Sequence, residues 1–201
     1  MIGVILAGGQ ARRYAGAVKP LLEVERRTIF DRQCEVLRGL CSAIIVAAQQ
    51  PAPWAAVPVV QDRFPDGGPL AGVHAGVRYT HDAGEPWCLV VAGDMPHLRA
   101  DVLRLLLTQR EAGAPARDGE QPAASAIAFE LDGRPQPLCT LFHVSALAVL
   151  ERRLAAGQGK VAAALLDPAM ATHFVREAAV RAVDPTLASF HNVNSPADMP
   201  A

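Results

Sequence analysis

The sequence is poor in several features that carry common kinds of chemistry. Aromatic residues make up only 5% of the 201 positions. Nineteen lysines and arginines nearly balance 20 aspartates and glutamates, for a net charge of −1. A chain so close to neutral has no global attraction for nucleic acid or an anionic membrane, so any cationic cluster must act locally. The four cysteines, Cys34, Cys41, Cys88 and Cys139, form no C-x-x-C pair, and the six histidines make no zinc spacing with them. They are expected as buried small hydrophobes or free thiols. No apolar run approaches the ~18 residues of a membrane span. The N-terminus is apolar at once, with neither the charged region nor the small-residue cleavage site of a signal peptide. The expectation is a soluble, cytoplasmic protein. Two familiar phosphate-binding loops are absent as well. Gly16 is followed by Ala17-Val18-Lys19-Pro20, which is not a P-loop, and Gly8-Gly9-Gln10 lacks the dinucleotide-fingerprint spacing.

What is present is globular: 51% apolar and 19% charged residues. A chain of this length suits one domain and can bury roughly 70% of its unfolded surface. The chain is organised around its first 22 residues. Ile2 to Ala7 is an apolar run that reads as a buried parallel strand. It breaks at Gly8-Gly9, where a backbone without Cβ atoms can approach a ligand. Arg12, Arg13 and Lys19 follow, three cations within eight residues. Arginine forks and a lysine point charge suit a polyphosphate, and open α/β sheets take ligands at this end of their strands. The bland alternative is a tight turn followed by a solvated cationic surface.

Further along, Thr28 can cap a helix through about Leu40, with Ile29, Phe30, Gln33, Cys34, Leu37 and Leu40 on its periodic face. Ala43 to Ala47 and Val57 to Gln61 read as strands, the second ending at Asp62. Pro69 suits the first turn of a helix running to about Tyr79. Gly68, Gly72 and Gly76 leave one face of that helix bare, for close packing or for a ligand. Trp87 to Ala92 is the most apolar strand and runs into Gly93-Asp94-Met95-Pro96. A carboxylate at the end of a central strand is a natural Mg²⁺ ligand, completed by water and phosphate oxygens. The alternative is Asp94 as the cap of the next helix, spanning Leu98 to Ala112. Residues 113–122 are expected as a polar loop, a mobile segment or lobe boundary. Ala123 to Leu131 and Gln136 to His143 flank Asp132-Gly133 as a hairpin. Val144 to Ala156 and Lys160 to Leu166 are expected as helices, Phe190 to Val193 as a last strand, and Ser195-Pro196 as the start of a short helix. Strands alternating with helices imply a parallel sheet.

Four separated segments, in order, resemble the molybdenum cofactor guanylyltransferase family: LAGGQARRYAGAVK at Leu6 to Lys19, GPLAG at Gly68 to Gly72, GDMP at Gly93 to Pro96, and HNVNSPADM at His191 to Met199. The resemblance covers essentially the whole chain. It implies a Rossmann-like three-layer α/β/α sandwich with a mostly parallel sheet, of the nucleotide-diphospho-sugar transferase kind. It implies one domain over 1–201, with a nucleotide-binding half at 1–112 and an acceptor-side half at 123–201. The implied reaction transfers GMP from GTP to molybdenum-bound molybdopterin, releasing pyrophosphate, with Mg²⁺ as cofactor. Molybdoenzymes or their chaperones would be further partners. Carried over by position, Leu6, Ala7, Gly8 and Gly9 contact the nucleotide and Lys19 its phosphates. Asp62 is the nucleotide-contacting aspartate after the third strand. Asp94 binds nucleotide and Mg²⁺, and Asn192 and Asn194 lie where the family holds the pterin substrate. Arg12, Arg13, Lys19 and Asp94 form the expected catalytic set. Val18 stands where the family commonly has aspartate, Ala47 where many members have asparagine, and Tyr14-Ala15 where Met-Gly is common. A different nucleotide or acceptor (cytidylyl transfer, or a sugar phosphate) and a catalytically silent GTP-binding homologue remain as alternatives.

Overall fold

Five consecutive apolar residues, Ile2–Leu6, form strand β1, and all five are buried. Burial on both faces is what an uninterrupted apolar run demands, and it is met by placing β1 inside a parallel sheet. The computed structural model describes residues 1–7, 18–64, 66–112 and 123–193. After a 3-10 turn at Lys19–Leu21, a small hairpin of β2 (Glu23–Val24) and β3 (Arg27–Thr28) leads into α1 (Ile29–Arg38), β4 (Ala43–Ala48) and β5 (Val59–Gln61). Then come α2 (Gly68–Asp82), β6 (Trp87–Ala92), α3 (Ala100–Ala112), β7 (Ala126–Leu131) and β8 (Arg134–His143). The chain continues through α4 (Leu147–Ala155), α5 (Val161–Leu165), β9 (Thr172–Arg176) and α6 (Glu177–Val183).

Among the described residues, seven strands form one sheet in the order β5-β4-β1-β6-β8-β7-β9. β5, β4, β1 and β6 are mutually parallel, in register Leu6 to Ala47 on one side and Leu6 to Ala92 on the other. β8 runs antiparallel between β6 and β7, and β9 is parallel to β7. The sheet is therefore mostly parallel, with one reversed strand. Alternate residues of its strands feed two cores. Val4, Leu6, Ala47, Val90 and Phe142 pack with α2, α4 and α5 on one face. Ile5, Val46, Leu89, Val91 and Leu141 pack with α1, α3 and α6 on the other. The result is the expected three-layer α/β/α sandwich.

Local signals place the elements. The Thr28 hydroxyl accepts from the Asp31 amide at 3.0 Å, capping α1 as expected. Asp132 and Gly133 both take left-handed backbone (φ 52° and 68°), the geometry of a two-residue hairpin turn, and they join β7 to β8. All four cysteines are free, three of them buried. Burial pushes the Cys88 and Cys139 thiols up to about 12 and Cys41 to about 11, far from a reactive thiolate. Among the described residues, no helix is long and apolar enough to cross a membrane.

Three expectations need correction. Phe190 to Val193 is not a strand: Ala188–Phe190 is a 3-10 turn, and the Val193 amide donates to the Asp94 carbonyl instead of to a ladder. The final sheet position is taken by β9, which together with α6 was not anticipated. The helix after the GDMP turn starts at Ala100 rather than Leu98. The expected helix at Ser195-Pro196 lies outside the described residues.

Candidate nucleotide site at the strand ends

The parallel strands end together at one edge of the sheet, and the chain path creates a crevice there. From β1 the chain moves outward through β4 to β5, then returns across β1 to lay down β6 on its other side. Such a reversal is the topological switch point where open α/β sheets accept ligands. The 3-10 turn at Lys19–Leu21 and the turn after β6 meet here, and they carry Lys19 and Asp94. Lys19 Nζ lies 3.1 Å from Asp94 Oδ2, in a pair whose side chains are 32% and 20% exposed.

Each partner is held by its backbone. Pro20 is buried in the 3-10 turn that begins at Lys19. Gly93 lies under it: a Cβ there would sit 2.8 Å from the Leu6 carbonyl oxygen and 3.0 Å from Pro20 Cγ. Only glycine lets the two turns meet this closely. The Gly93 amide donates to the Leu6 carbonyl and the Val193 amide to the Asp94 carbonyl, both at 2.9 Å. From α1, the fully buried Gln33 amide donates to the Ala92 carbonyl at 2.7 Å and the Met95 carbonyl at 3.2 Å. Asp94 does not cap the following helix, which begins six residues later; Asp101 accepts from the Val102 amide at that end.

Of the other expected site residues, Leu6, Ala7, Asp62 and Asn192 are among the described residues. Leu6 is 8% exposed at the end of β1, and the Ala7 amide donates to the Ala47 carbonyl at 2.9 Å, which extends the strand by one residue. Asp62 follows β5 at the sheet edge, three strand spacings or about 14 Å from the end of β6. Partial burial pushes its carboxyl up from the ordinary value, against a hydrogen bond from the Phe64 backbone. Asp62 and Asp94 therefore cannot share one small cation, but a nucleotide can span them. Asn192 is exposed and adjoins Val193, so the C-terminal segment reaches the Asp94 turn. Gly8, Gly9, Arg12, Arg13 and Asn194 lie outside the described residues. Val18 is 37% exposed, and Ala47 is buried in the core beside α2.

The donor set bears on metal binding. Among the described residues no cluster of three or more histidine, cysteine, aspartate or glutamate side chains could hold an ion alone. Asp94 is a single, partly exposed carboxylate. That suits Mg²⁺, which usually takes one or two carboxylates and draws its remaining ligands from substrate phosphates and water.

The GPLAG segment opens α2 beside the crevice. Gly72 and Gly76 face β1: Cβ atoms there would lie 3.2 Å from Leu6 Cδ2 and 2.7 Å from Val4 Cγ1. The bare face of this helix is a packing face. At its N-terminus a second glycine contact appears that sequence reasoning missed. The Gly159 carbonyl accepts from the Leu70 amide at 3.2 Å, and a Cβ on Gly159 would lie 2.3 Å from the Gly67 oxygen. Gly157 and Gly159 read from sequence only as a break between helices, although a glycine pair flanking one residue, Gln158, is also a signal of close backbone approach.

Residues 3–173 match the MobA-like NTP transferase domain family. A molybdenum cofactor guanylyltransferase of Desulfosudis oleivorans is 30% identical over 96% of this chain and 89% of its own length. That of Acidiphilium cryptum is 35% identical, over 98% and 91%. In fold, the chain is similar to the molybdopterin-guanine dinucleotide biosynthesis protein A of Archaeoglobus fulgidus, with a TM-score of 0.78 and 24% identity over 98% of this chain and 94% of that one.

Proposed function

The chain belongs to the MobA-like NTP transferases, among the molybdenum cofactor guanylyltransferases, and on that premise we propose that it transfers GMP from GTP to molybdenum-bound molybdopterin and releases pyrophosphate. The observation that carries the proposal is the Lys19–Asp94 pair at the switch point, one cation and one carboxylate within 3.1 Å. A nucleotide triphosphate with a divalent cation satisfies both groups at once: Lys19 turns to the phosphates and Asp94 to the metal.

The reaction asks little covalent work of the protein. An ionised phosphate oxygen of the acceptor attacks the α-phosphorus in line, and pyrophosphate leaves from the opposite side; no general base is needed. Positioning and charge neutralisation supply the acceleration. In this proposal Lys19, with Arg12 and Arg13, offsets charge on the departing pyrophosphate. Leu6 and Ala7, with Gly8 and Gly9, present the end of β1 to the nucleotide. Asp62, at the far edge of the crevice, accepts from the guanine N–H donors. Asn192 and Asn194 hold the pterin side, so that residues 1–112 serve the nucleotide and 123–201 the acceptor. Mg²⁺ on Asp94 would neutralise phosphate oxygens as a Lewis acid.

The test is pyrophosphate release with Mg²⁺ and molybdenum-loaded molybdopterin, comparing GTP, CTP, ATP and UTP. Release with GTP alone is expected. Release with CTP would reassign the protein to cytidylyl transfer. Silence with all four, in a folded protein that still binds GTP, would overturn the enzymatic reading and make Val18 and Ala47 the positions to examine by substitution.

A further inference from the structure

α1 is amphipathic, and its buried face has one polar interruption. Gln33 is 0% exposed among Ile29, Phe30, Cys34 and Leu37. A buried primary amide is costly unless its hydrogen bonds are made, so its presence in an apolar stripe calls for a structural reason. Its NH₂ group donates to two carbonyl oxygens, Ala92 at 2.7 Å and Met95 at 3.2 Å, while its own Oε1 is buried with no hydrogen-bond partner among the described residues. Acceptors on that side require the NH₂ group to face them. These carbonyls bracket Gly93-Asp94. The bracketed turn is tied at every residue: Ala92 O to Gln33, Gly93 N to Leu6 O, Asp94 O to Val193 N, and Met95 O to Gln33. Two of these four contacts are backbone to backbone and need no particular side chain. The other two are both made by the Gln33 side chain.

We propose that Gln33 is a positioning residue for the transfer reaction: its amide clamps both sides of the Asp94 turn from α1 and fixes the carboxylate at the β1/β6 crevice. The inference rests on the reading of Asp94 as the metal- and nucleotide-facing carboxylate. Gln33 lies behind the turn, against the Ala92 and Met95 backbone, and acts only through Asp94. Replacing the amide by an apolar group of similar size removes the donor that both carbonyls share and lets the turn relax. A carboxylate that moves by about 1 Å loses much of its value for positioning.

The test is a double-mutant cycle between Gln33→Met and Asp94→Asn, read by two assays. One is GTP affinity by calorimetry with Mg²⁺ and with EDTA; the other is turnover. Gln33→Met is expected to leave metal-free GTP affinity within twofold, to cut the Mg²⁺-dependent gain in affinity five- to tenfold, and to lower kcat at least tenfold. In the Asp94→Asn background the same substitution is expected to change neither quantity by more than twofold, because the group it positions is already gone. Equal losses in both backgrounds, or a lowered Tm with unchanged Mg²⁺ dependence, would overturn the proposal and leave Gln33 a purely structural amide. Gln33→Glu covers poor folding of the methionine variant. Its buried carboxyl is held neutral and can donate to one carbonyl, so it is expected between the parent and Gln33→Met in Mg²⁺-dependent affinity. Parity with the parent would count against the two-carbonyl clamp. Failure of the underlying reading looks different: Asp94→Asn alone would then keep full Mg²⁺-dependent binding and turnover.

Discussion

Two glycines one helical turn apart on α2 are expected to respond to alanine with opposite signs. Gly→Ala in a helix interior gains about 1 kcal/mol from propensity and reduced unfolded-state entropy. Against this stands whatever the new methyl meets. At Gly76 the Cβ would lie 2.7 and 2.9 Å from the two γ-methyls of Val4. Val4 is fully buried in the central strand, and its branched side chain has little rotameric freedom. Overpacking of this kind costs about 1–3 kcal/mol, and a clash with both methyls belongs in the upper half of that range. The net expectation for Gly76→Ala is a loss of about 1–2 kcal/mol, or roughly 2–8 °C in Tm for a chain of this size. At Gly72 the nearest atom is Leu6 Cδ2 at 3.2 Å. That is the far end of a flexible side chain, and it can yield by a few tenths of an ångström. Gly72→Ala is therefore expected within about 0.5 kcal/mol of the parent, on the stabilising side. Thermal melts with urea midpoints at constant m-value make the comparison. Gly76 lies eight residues, about 12 Å of helix, from the crevice end of α2, so kcat per folded enzyme is expected to persist. A Gly76→Ala variant as stable as the parent would refute the packing assignment for this face.

Other substitutions probe the site and its supports. Lys19→Ala is expected to weaken GTP binding about 10- to 100-fold, the worth of a charge-assisted phosphate contact; unchanged affinity in calorimetry would remove Lys19 from the phosphate site. Asp94→Ala is expected to abolish Mg²⁺-dependent turnover while the circular dichroism spectrum and Tm are kept, and full activity would exclude it from the mechanism. For Gly159→Ala, the added Cβ would lie 2.3 Å from the Gly67 backbone oxygen, so a loss of at least about 2 kcal/mol and a raised KM for GTP are expected; a neutral result in both would show that the 157–160 loop does not brace the GPLAG turn. Asp184 is 1% exposed and accepts from the Ser189 amide at 2.9 Å and the Ala188 amide at 3.2 Å. Burial alone would raise its pKa, but those amides, together with the Ser189 side chain and the charge of Arg99, outweigh it and hold the carboxyl below its ordinary 3.8. Its contribution is thus complete above that value and lost as pH falls through the lower folded one. Asp184→Ala is expected to cost about 1–3 kcal/mol at neutral pH, with the gap to the parent closing below about pH 4; a gap independent of pH would refute the carboxylate's role.

Much of the fold was legible where one local signal was strong and unopposed. The apolar runs of β1, β4 and β6 admit no other reading than strands buried on both faces, and Thr28 and the Asp132-Gly133 turn mark their elements by cap and backbone chemistry. The missed elements lack such signals. Thr172–Arg176 closes the sheet at its edge, where only Val175 is buried, so no apolar run or clean alternation announces it. Glu177–Val183 is seven residues with Val180 alone buried, too short for a helical period to stand out. Phe190 to Val193 misled in the opposite sense. Val193 is apolar because it is buried with Val24 and Ile29 beside the small hairpin, and burial of one residue in a connecting segment mimics a strand end.

The candidate site was legible as residues and illegible as an arrangement. Lys19 and Asp94 are 75 positions apart, and each is suggested by its own strand end. Their meeting depends on strand order, which local periodicity does not encode: only after the chain returns across β1 to add β6 do the two loops share one crevice. The same logic assigns Gln33. Within α1 it is one polar residue in an apolar stripe, a defect by helix rules. Across the sheet it is the donor that two carbonyls beside Asp94 require. A local rule broken at a buried position, with its compensation found beside the carboxylate proposed to hold the metal, is where the demands of folding and of chemistry on this chain diverge.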